Sequence, residues 1–284
     1  MSGVVKTLSL RRLASAVARR AKGLATGGLA SGLLRLAGLL YRNRPVPMGV
    51  VAQARRMAVA HDGLYPRNMT VMTTGLDLRD AHLAATFAES TFGEWSLAAE
   101  VVNFLEAFVR RTEPAYVLEL GSGLSTACLA HVLAELPPGV HRRLVSIDQS
   151  SNFVARTRDL VDRVDVAVPV ELHVRPLQPR PLHGAVASTY DLDDAFLTQL
   201  STPSPPDLVL VDGPTGGGAG RFAALEALCP YLRDDTVVFM DDGLRDEEIG
   251  LARRSRTDSL LRVEGVYLLG KGLVIARTGR RRAA

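Results

Sequence analysis

The chain is poor in cysteine, with two in 284 residues, Cys128 and Cys229. They are far apart, lie among apolar residues and form no metal-binding or redox spacing. That excludes a secreted disulfide scaffold and predicts two buried, reduced thiols in a cytoplasmic protein. Clean apolar runs are missing as well. Gly23 to Tyr41 is apolar overall, but Arg35 and several Gly, Ser and Thr residues interrupt it, so it makes a poor membrane-spanning helix. Gly27 to Leu40 offers no apolar run followed by a small-residue cleavage site, which argues against a cleavable signal peptide. The third deficit is local: the first 60 residues contain no Asp or Glu.

What stands there instead is basic. Residues 1–60 carry eleven Lys or Arg, and four more Arg follow from Arg277 onward. Of the 34 basic residues, 19 remain for positions 61–276, against all 30 acidic ones, so the body of the chain is acidic by 11 charges although the whole is +4. With no basic stripe across that body, no nucleic-acid partner is expected. Leu10, Leu13, Ala14, Val17, Ala21 and Leu24 fall on one helical face, while Arg11, Arg12, Arg19, Arg20 and Lys22 spread over the other. The pattern predicts a basic amphipathic helix, able to lie on the inner face of an anionic membrane or to pack on a partner. Pro45 and Pro47 break the pattern and mark a linker. Three segments are expected: a basic amphipathic extension over 1–60, of which Met1 to Arg44 is dispensable for ligand binding by the rest; a linker and N-terminal helical cap over 61–94; and the main domain over 95–284.

The main domain alternates strands and helices. Leu97, Val101, Phe104, Leu105 and Phe108 recur at helical spacing until Pro114. Short apolar strands are predicted at Tyr116–Leu120, Leu144–Ile147, Val170–Val174, Leu208–Val211 and Thr236–Met240. Helices are predicted at Thr126–Glu135, Phe153–Val161 and Phe222–Leu232, with a loop rich in Pro and Ser before Leu208. Such alternation implies right-handed βαβ units around a parallel sheet. Val263–Leu269 and Leu273–Ala276 differ, because only Gly270, Lys271 and Gly272 separate them, and so short a connection makes an antiparallel hairpin.

The chemistry begins after the first strand, in Glu119-Leu120-Gly121-Ser122-Gly123-Leu124-Ser125-Thr126. A glycine-rich turn between strand and helix lets a ligand approach the backbone, and the free N–H groups of the helix start can receive its polar atoms. A dinucleotide fingerprint would place a third glycine where Thr126 stands. Glu119 is awkward beside an anionic pyrophosphate and suits a ligand bearing an ammonium group and a sulfonium. Asp148 ends the second strand about 25 residues after the turn, where a carboxylate can accept both hydroxyl hydrogens of a ribose; capping the following helix is its alternative role. Two further acidic turns follow the fourth and fifth strands, Val211-Asp212-Gly213-Pro214-Thr215-Gly216 and Met240-Asp241-Asp242-Gly243.

Taken together, these landmarks resemble the class I S-adenosylmethionine-dependent methyltransferases, and within them the branch of the glucuronoxylan 4-O-methyltransferases and their bacterial relatives. The resemblance covers about Trp95 to Thr278. It implies a Rossmann-like three-layer α/β sandwich, whose mainly parallel seven-stranded sheet ends in an antiparallel hairpin strand. It also implies that Glu119, Gly121, Ser122, Gly123, Ser125 and Thr126 surround the methionine part of S-adenosylmethionine, with Asp148 on the ribose and Asp212 also lining the cofactor pocket. In related catechol-type and macrolide-sugar enzymes, acids after the fourth and fifth strands hold a divalent metal. Asp212, Asp241 and Asp242 stand in similar places, and hard carboxylate oxygens suit Mg²⁺ or Mn²⁺. The macrolide-sugar enzymes have a histidine shortly after the first acid, where this chain has Thr215. Asp212 and Asp241 are the candidate catalytic residues. The alternative is that Asp241 and Asp242 cap a helix starting near Leu244 while Asp212 lines the pocket without metal.

Other polar residues carry less. The six histidines have no mutual metal spacing and are expected at surface or loop positions. Arg221 and Arg245 follow the acidic turns and could grip an acidic sugar or phosphate, or pair with the neighbouring acids. The leading expectation is O-methylation of a sugar or glycan-like hydroxyl, with a small-molecule or glycan acceptor as partner. A nicotinamide-dependent oxidoreductase and a non-catalytic membrane-tethering domain are the alternatives.

Overall fold

The computed structural model of the chain describes residues 28–41, 44–62, 69, 77–90, 92, 96–216, 218–250 and 261–279. The amphipathic segment between Leu10 and Leu24 lies outside the described residues. Four helices come first: α1 (Leu29–Tyr41), α2 (Met48–Asp62), α3 (Ala81–Thr86) and α4 (Ala99–Thr112). Then follow β1 (Tyr116–Leu120), α5 (Leu124–Ala134), β2 (Arg143–Asp148), α6 (Ser151–Val164), β3 (Val170–Val174), β4 (Leu177–Leu182) and β5 (Ala185–Tyr190). The chain continues through α7 (Asp194–Leu200), β6 (Leu208–Val211), α8 (Gly218–Leu228), β7 (Val237–Met240), β8 (Leu261–Tyr267) and β9 (Leu273–Thr278).

Seven of these strands form one sheet in the order β3-β2-β1-β6-β7-β9-β8. The first five are parallel, and β9 runs antiparallel to both β7 and β8. The strands are short apolar runs because both faces are covered. Val117 of β1 faces a core built from α4, α5 and α6, whereas Leu118 and Leu120 face α1, α2, α7 and α8. The result is the expected three-layer sandwich. Each fully buried Val or Leu contributes roughly 1.5–3 kcal/mol, so burial on both faces makes β1 the rigid axis of the molecule. Helix ends follow local chemistry: α4 stops at Glu113, in left-handed conformation with φ 47°, and Pro230 ends the expected Phe222–Leu232 helix early, leaving a 3₁₀ turn at Cys229–Tyr231.

Two parts of the architecture differ from the sequence expectation. The Pro- and Ser-rich stretch before Leu208 holds an antiparallel ribbon, β4 with β5, and the short helix α7, which Asp193 caps by accepting the Phe196 N–H at 2.8 Å. Pro179 and Pro181 obscured the strand, yet a two-stranded ribbon tolerates prolines on its open side. Its turn is His183-Gly184, both at positive φ (49° and 81°), as a tight hairpin requires.

The second correction concerns residues 1–60. Leu34 and Ala37 of α1 and Val51 and Ala52 of α2 are buried in the same core as Val211, Met240 and Val266. Pro45 and Pro47 do not make a linker. Between them Val46 donates its N–H to Val266 and accepts the Val266 N–H in return, at 2.7 and 2.8 Å, which covers the outer edge of β8. Gly265 permits this approach, since a Cβ there would lie 2.5 Å from the Val46 carbonyl oxygen. The expected boundary at residue 60 falls inside α2, and Arg55 of that helix forms an ion pair with Asp246. Among the described residues, no helix is long and apolar enough to cross a membrane. Cys128 is buried, while Cys229 is only partly so; burial pushes both thiols up to about 12, so both stay protonated.

Candidate active site

From β1 the chain winds one way to β2 and β3, and β6 and β7 lie on the other side of β1. Such a reversal opens a crevice at the carboxyl ends of the strands. All the sequence-predicted site residues reach that edge.

The glycine turn is built by close backbone approach. Gly121 has φ 103°, and a Cβ on it would lie 2.7 Å from the Gly213 nitrogen. A Cβ on Gly213 would lie 3.0 Å from the Gly121 Cα and 2.1 Å from the Tyr190 hydroxyl. The turns after β1 and β6 therefore touch, and only glycine fits either position. In front of Gly123, by contrast, an added Cβ would meet nothing within 4 Å, so the turn faces open space.

Glu119 sits behind the turn with no solvent exposure. Its Oε2 accepts the Thr126 hydroxyl at 2.5 Å and the Ser146 hydroxyl at 2.8 Å, and Thr126 Oγ1 accepts the Gly123 N–H at 3.0 Å. A carboxylate thus braces the turn through a hydroxyl. Burial pushes Glu119 up to about 7, against the pull of the Ser125, Thr126 and Ser146 hydroxyls. Its other oxygen, Oε1, is buried without a hydrogen bond. Asp148 accepts the Ser122 N–H at 3.2 Å and the Ser150 N–H at 2.7 Å, fastening the end of β2 to the turn. Burial raises its pKa. Ser150, not Asp148, caps α6, by accepting the Phe153 N–H at 3.3 Å.

The second half of the site is an acidic cluster. One carboxylate oxygen each from Asp212, Asp241 and Asp242 lies within 4.8 Å of the others. Arg221, on the first turn of α8, ties the loops together: Nη1 donates to Asp242 Oδ2 at 2.8 Å and to the Asp241 carbonyl at 3.2 Å, and Nη2 donates to the Asp212 carbonyl at 2.5 Å. Arg245 Nη1 lies 2.9 Å from Asp242 Oδ2. Lys271 Nζ lies 3.2 Å from Asp242 Oδ1 and 3.9 Å from Asp241 Oδ2. Glu248, fully buried, approaches Arg221 at 3.8 Å. The Asp242 carboxylate is thus held by three cations, and both arginines pair with acids of the protein. Burial and the charges of Asp212 and Asp242 push Asp241 up to about 8. Burial raises Asp212 too, with Arg221 opposing. For Arg221, burial pulls downward, but the surrounding carboxylates outweigh it and keep the guanidinium charged.

Ser146, Tyr190, Glu248 and Lys271 belong to this site and were missed by sequence reasoning. Tyr190 arrives on the unexpected ribbon, its hydroxyl buried beside Gly213 without a hydrogen bond. Lys271 was visible only as the middle of a hairpin connection. It reaches the acids because the Gly243 N–H donates to the Gly272 carbonyl (2.7 Å) and the Leu244 N–H to the Lys271 carbonyl (3.0 Å). Thr215 is exposed and accepts from Gln149 Nε2 at 3.2 Å. His131 departs from the expected surface placement. It is buried on α5, between Asp80 (3.4 Å) and Glu135 (3.5 Å), with Arg110 paired to both acids.

Residues 118–243 match the family model described as a methyltransferase domain. That stretch runs from within β1 to the turn after β7 and includes the whole glycine turn, Glu119 to Thr126. No curated protein matches the chain in sequence. Among the solved structures that share its fold are three methyltransferases. The O-methyltransferase TomG from Streptomyces achromogenes, in complex with S-adenosylmethionine, is 21% identical over 72% of this chain and 92% of its own, with a TM-score of 0.50. The O-methyltransferase from Bacillus cereus is 18% identical over 82% and 100%, with a TM-score of 0.51. The Podospora anserina methyltransferase PaMTH1 is 14% identical over 70% and 88%, also at 0.51. Residues 118–243 thus match a methyltransferase domain, and the chain shares the Rossmann-like fold of these solved methyltransferases.

Proposed function

We propose that the protein transfers the methyl group of S-adenosylmethionine to a hydroxyl oxygen of a sugar or glycan-like acceptor. The observation that carries this reading is the open turn at Gly123 set between Glu119 and Asp148. These residues fit the cofactor: the orphaned Oε1 of Glu119 is an acceptor for a cationic ligand, and Asp148 stands at the end of β2 for a ribose. TomG was solved with S-adenosylmethionine and the Bacillus cereus and Podospora anserina enzymes with S-adenosylhomocysteine, which supports the same cofactor here. Two of these proteins are described as O-methyltransferases, and the sugar acceptor follows from the sequence resemblance. A nicotinamide cofactor is disfavoured, because Thr126 replaces the third glycine and its hydroxyl is built into the brace on Glu119.

In this reading the acceptor oxygen bonds to the methyl carbon as the carbon–sulfur bond breaks, with the electron pair left on sulfur. Most of the acceleration comes from aligning the two reactants. Asp212, whose side chain is 18% exposed, is the acid of the cluster open to the crevice, and is placed to take the hydroxyl proton. Asp241 sits behind it and shares its charge environment. The cluster also fits Mg²⁺ or Mn²⁺: it offers hard oxygen donors, and Asp241 Oδ2 and Asp242 Oδ1 make no hydrogen bond. Asp212, Asp241 and Asp242 would hold such an ion, which would lower the pKa of the acceptor hydroxyl.

The test is calorimetric titration of the full chain with S-adenosylmethionine and with NADH, followed by transfer of labelled methyl to a panel of mono- and oligosaccharides and of catechols. Binding of the first ligand and labelling of sugars are expected. Absence of S-adenosylmethionine binding by folded protein would overturn the reading, and labelling of catechols alone would overturn the acceptor.

A further inference from the structure

We propose that Lys271 is a placeholder cation, which occupies the acidic cluster in the metal-free protein and withdraws when a divalent ion enters, so that it sets the metal affinity of the site. The inference rests on the metal reading above. Charge balance is its first support. Four carboxylates, those of Asp212, Asp241, Asp242 and Glu248, meet three cations, Arg221, Arg245 and Lys271. With the two arginines in place, a divalent ion alone neutralises the four acids. With Lys271 present as well, the site carries one positive charge too many, at a depth where an unbalanced charge is costly.

Geometry decides which cation leaves. Arg221 is 5% exposed and donates to three different groups, two of them backbone carbonyls that join the turns after β6 and β7. Withdrawing it would open those turns. Arg245 shares Asp242 Oδ2 with Arg221. Lys271 instead faces Asp242 Oδ1 and Asp241 Oδ2, the two cluster oxygens that make no hydrogen bond, at 3.2 and 3.9 Å. These are the oxygens an incoming ion would take. A lysine ammonium is a point charge on a flexible four-carbon stem, so it can swing away without disturbing its backbone. That backbone is fixed by the two hydrogen bonds from Gly243 and Leu244. The hairpin turn thus delivers a removable positive charge to the place of the metal.

The experiment is a titration of the full-length protein with Mn²⁺ alone, read by the electron paramagnetic resonance of the free ion, for wild type, Lys271→Met and Lys271→Gln. Loss of the competing charge is expected to tighten Mn²⁺ binding at least tenfold in both variants, and Mn²⁺ should raise their melting temperatures more than that of wild type. Asp241→Asn added to either variant should abolish the gain. Arg262→Met, which removes an exposed charge paired with Asp235, should leave the affinity unchanged. The glutamine variant keeps a polar donor and serves if the methionine variant does not fold. Equal Mn²⁺ affinity in wild type and both Lys271 variants would overturn the inference and leave the metal reading standing. No uptake by any of them would overturn both.

Discussion

Glu119→Gln should make the ligand-free protein more stable and its cofactor weaker, and the first effect should depend on pH. Burial raises Glu119 from an ordinary 4.5 to about 7. Between those values the folded state holds a proton that the unfolded chain releases. The protonated group therefore contributes stability that is fully present below 4.5 and is lost as pH rises through about 7. Above that range the full cost of a buried carboxylate applies, roughly 3 kcal/mol for the shift involved. Glutamine is neutral at every pH, and its carbonyl can still accept from Thr126 and Ser146. Urea denaturation should thus show little difference between variant and wild type near pH 4.5, and a variant more stable by up to about 3 kcal/mol at pH 8. Cofactor binding should move the opposite way. A cationic ligand favours ionised Glu119, so wild-type affinity should rise with pH up to about 7 and then level. The glutamine variant should lose that dependence and bind about 10- to 100-fold more weakly at pH 8, as expected for a hydrogen bond to a charged group. A stability difference independent of pH would refute the argument that Glu119 is a buried, braced carboxylate. Unchanged cofactor affinity would refute its contact with the ligand.

Asp148→Ala should weaken S-adenosylmethionine binding by about 1.5–3 kcal/mol in calorimetric titration, with the fold retained by circular dichroism; an unaltered dissociation constant would remove the ribose role. Asp241→Asn should lower turnover far more than cofactor affinity, and chelation should abolish methyl transfer to the true acceptor until Mg²⁺ or Mn²⁺ is restored. Full activity in excess chelator would exclude the metal. Leu34→Ala should destabilise the protein by about 2–5 kcal/mol, because α1 is core; a change within 0.5 kcal/mol of zero, the roughly ±0.5 kcal/mol of a surface substitution, would make it a detachable extension. Replacing Arg11, Arg12, Arg19 and Arg20 by glutamine should reduce cosedimentation with anionic vesicles at low salt while leaving cofactor binding intact; equal sedimentation would reject the membrane role.

The legibility of this fold divides along a physical line. β1, β3 and β6 begin and end where the sequence places them, at Tyr116–Leu120, Val170–Val174 and Leu208–Val211; β1 and β6 are buried along their whole length, as central strands of a covered parallel sheet are, while β3 is a partly buried edge strand whose apolar residues alternate with Glu171 and His173. The antiparallel end of the sheet was equally plain, since a three-residue connection leaves no other topology. What stayed hidden was structure held by tertiary pairing. Val46 lies between two prolines and reads as a linker, yet its partner is Val266, distant in sequence, and only the missing side chain of Gly265 lets the two backbones meet. The β4–β5 ribbon was masked by Pro179 and Pro181, and with it went Tyr190, which reaches the crevice from that ribbon.

The same line runs through the site. Glu119, Gly121, Asp148, Asp212, Asp241 and Asp242 could be read from the sequence because each follows a strand directly, and parallel strands deliver their ends to one edge. Two of their counter-charges, Arg221 and Arg245, follow the acidic turns in sequence and pair with those acids, one of the two roles the sequence offered them. Lys271 comes from the β8–β9 hairpin, and no spacing links it to the acids. Physical chemistry still required something of the kind. Acids as deeply buried as Asp241 and Asp242, both 1% exposed, cannot stay ionised side by side without positive charge close at hand. The acidic motif thus announces that cations must be present, while the part played by Lys271 is settled only by the register of β9 on β7. Arg221 meets the structural need, since its three hydrogen bonds join the turns after β6 and β7. Lys271 brings its ammonium to the two carboxylate oxygens that an incoming ion would take, and that position makes it the charge proposed to exchange.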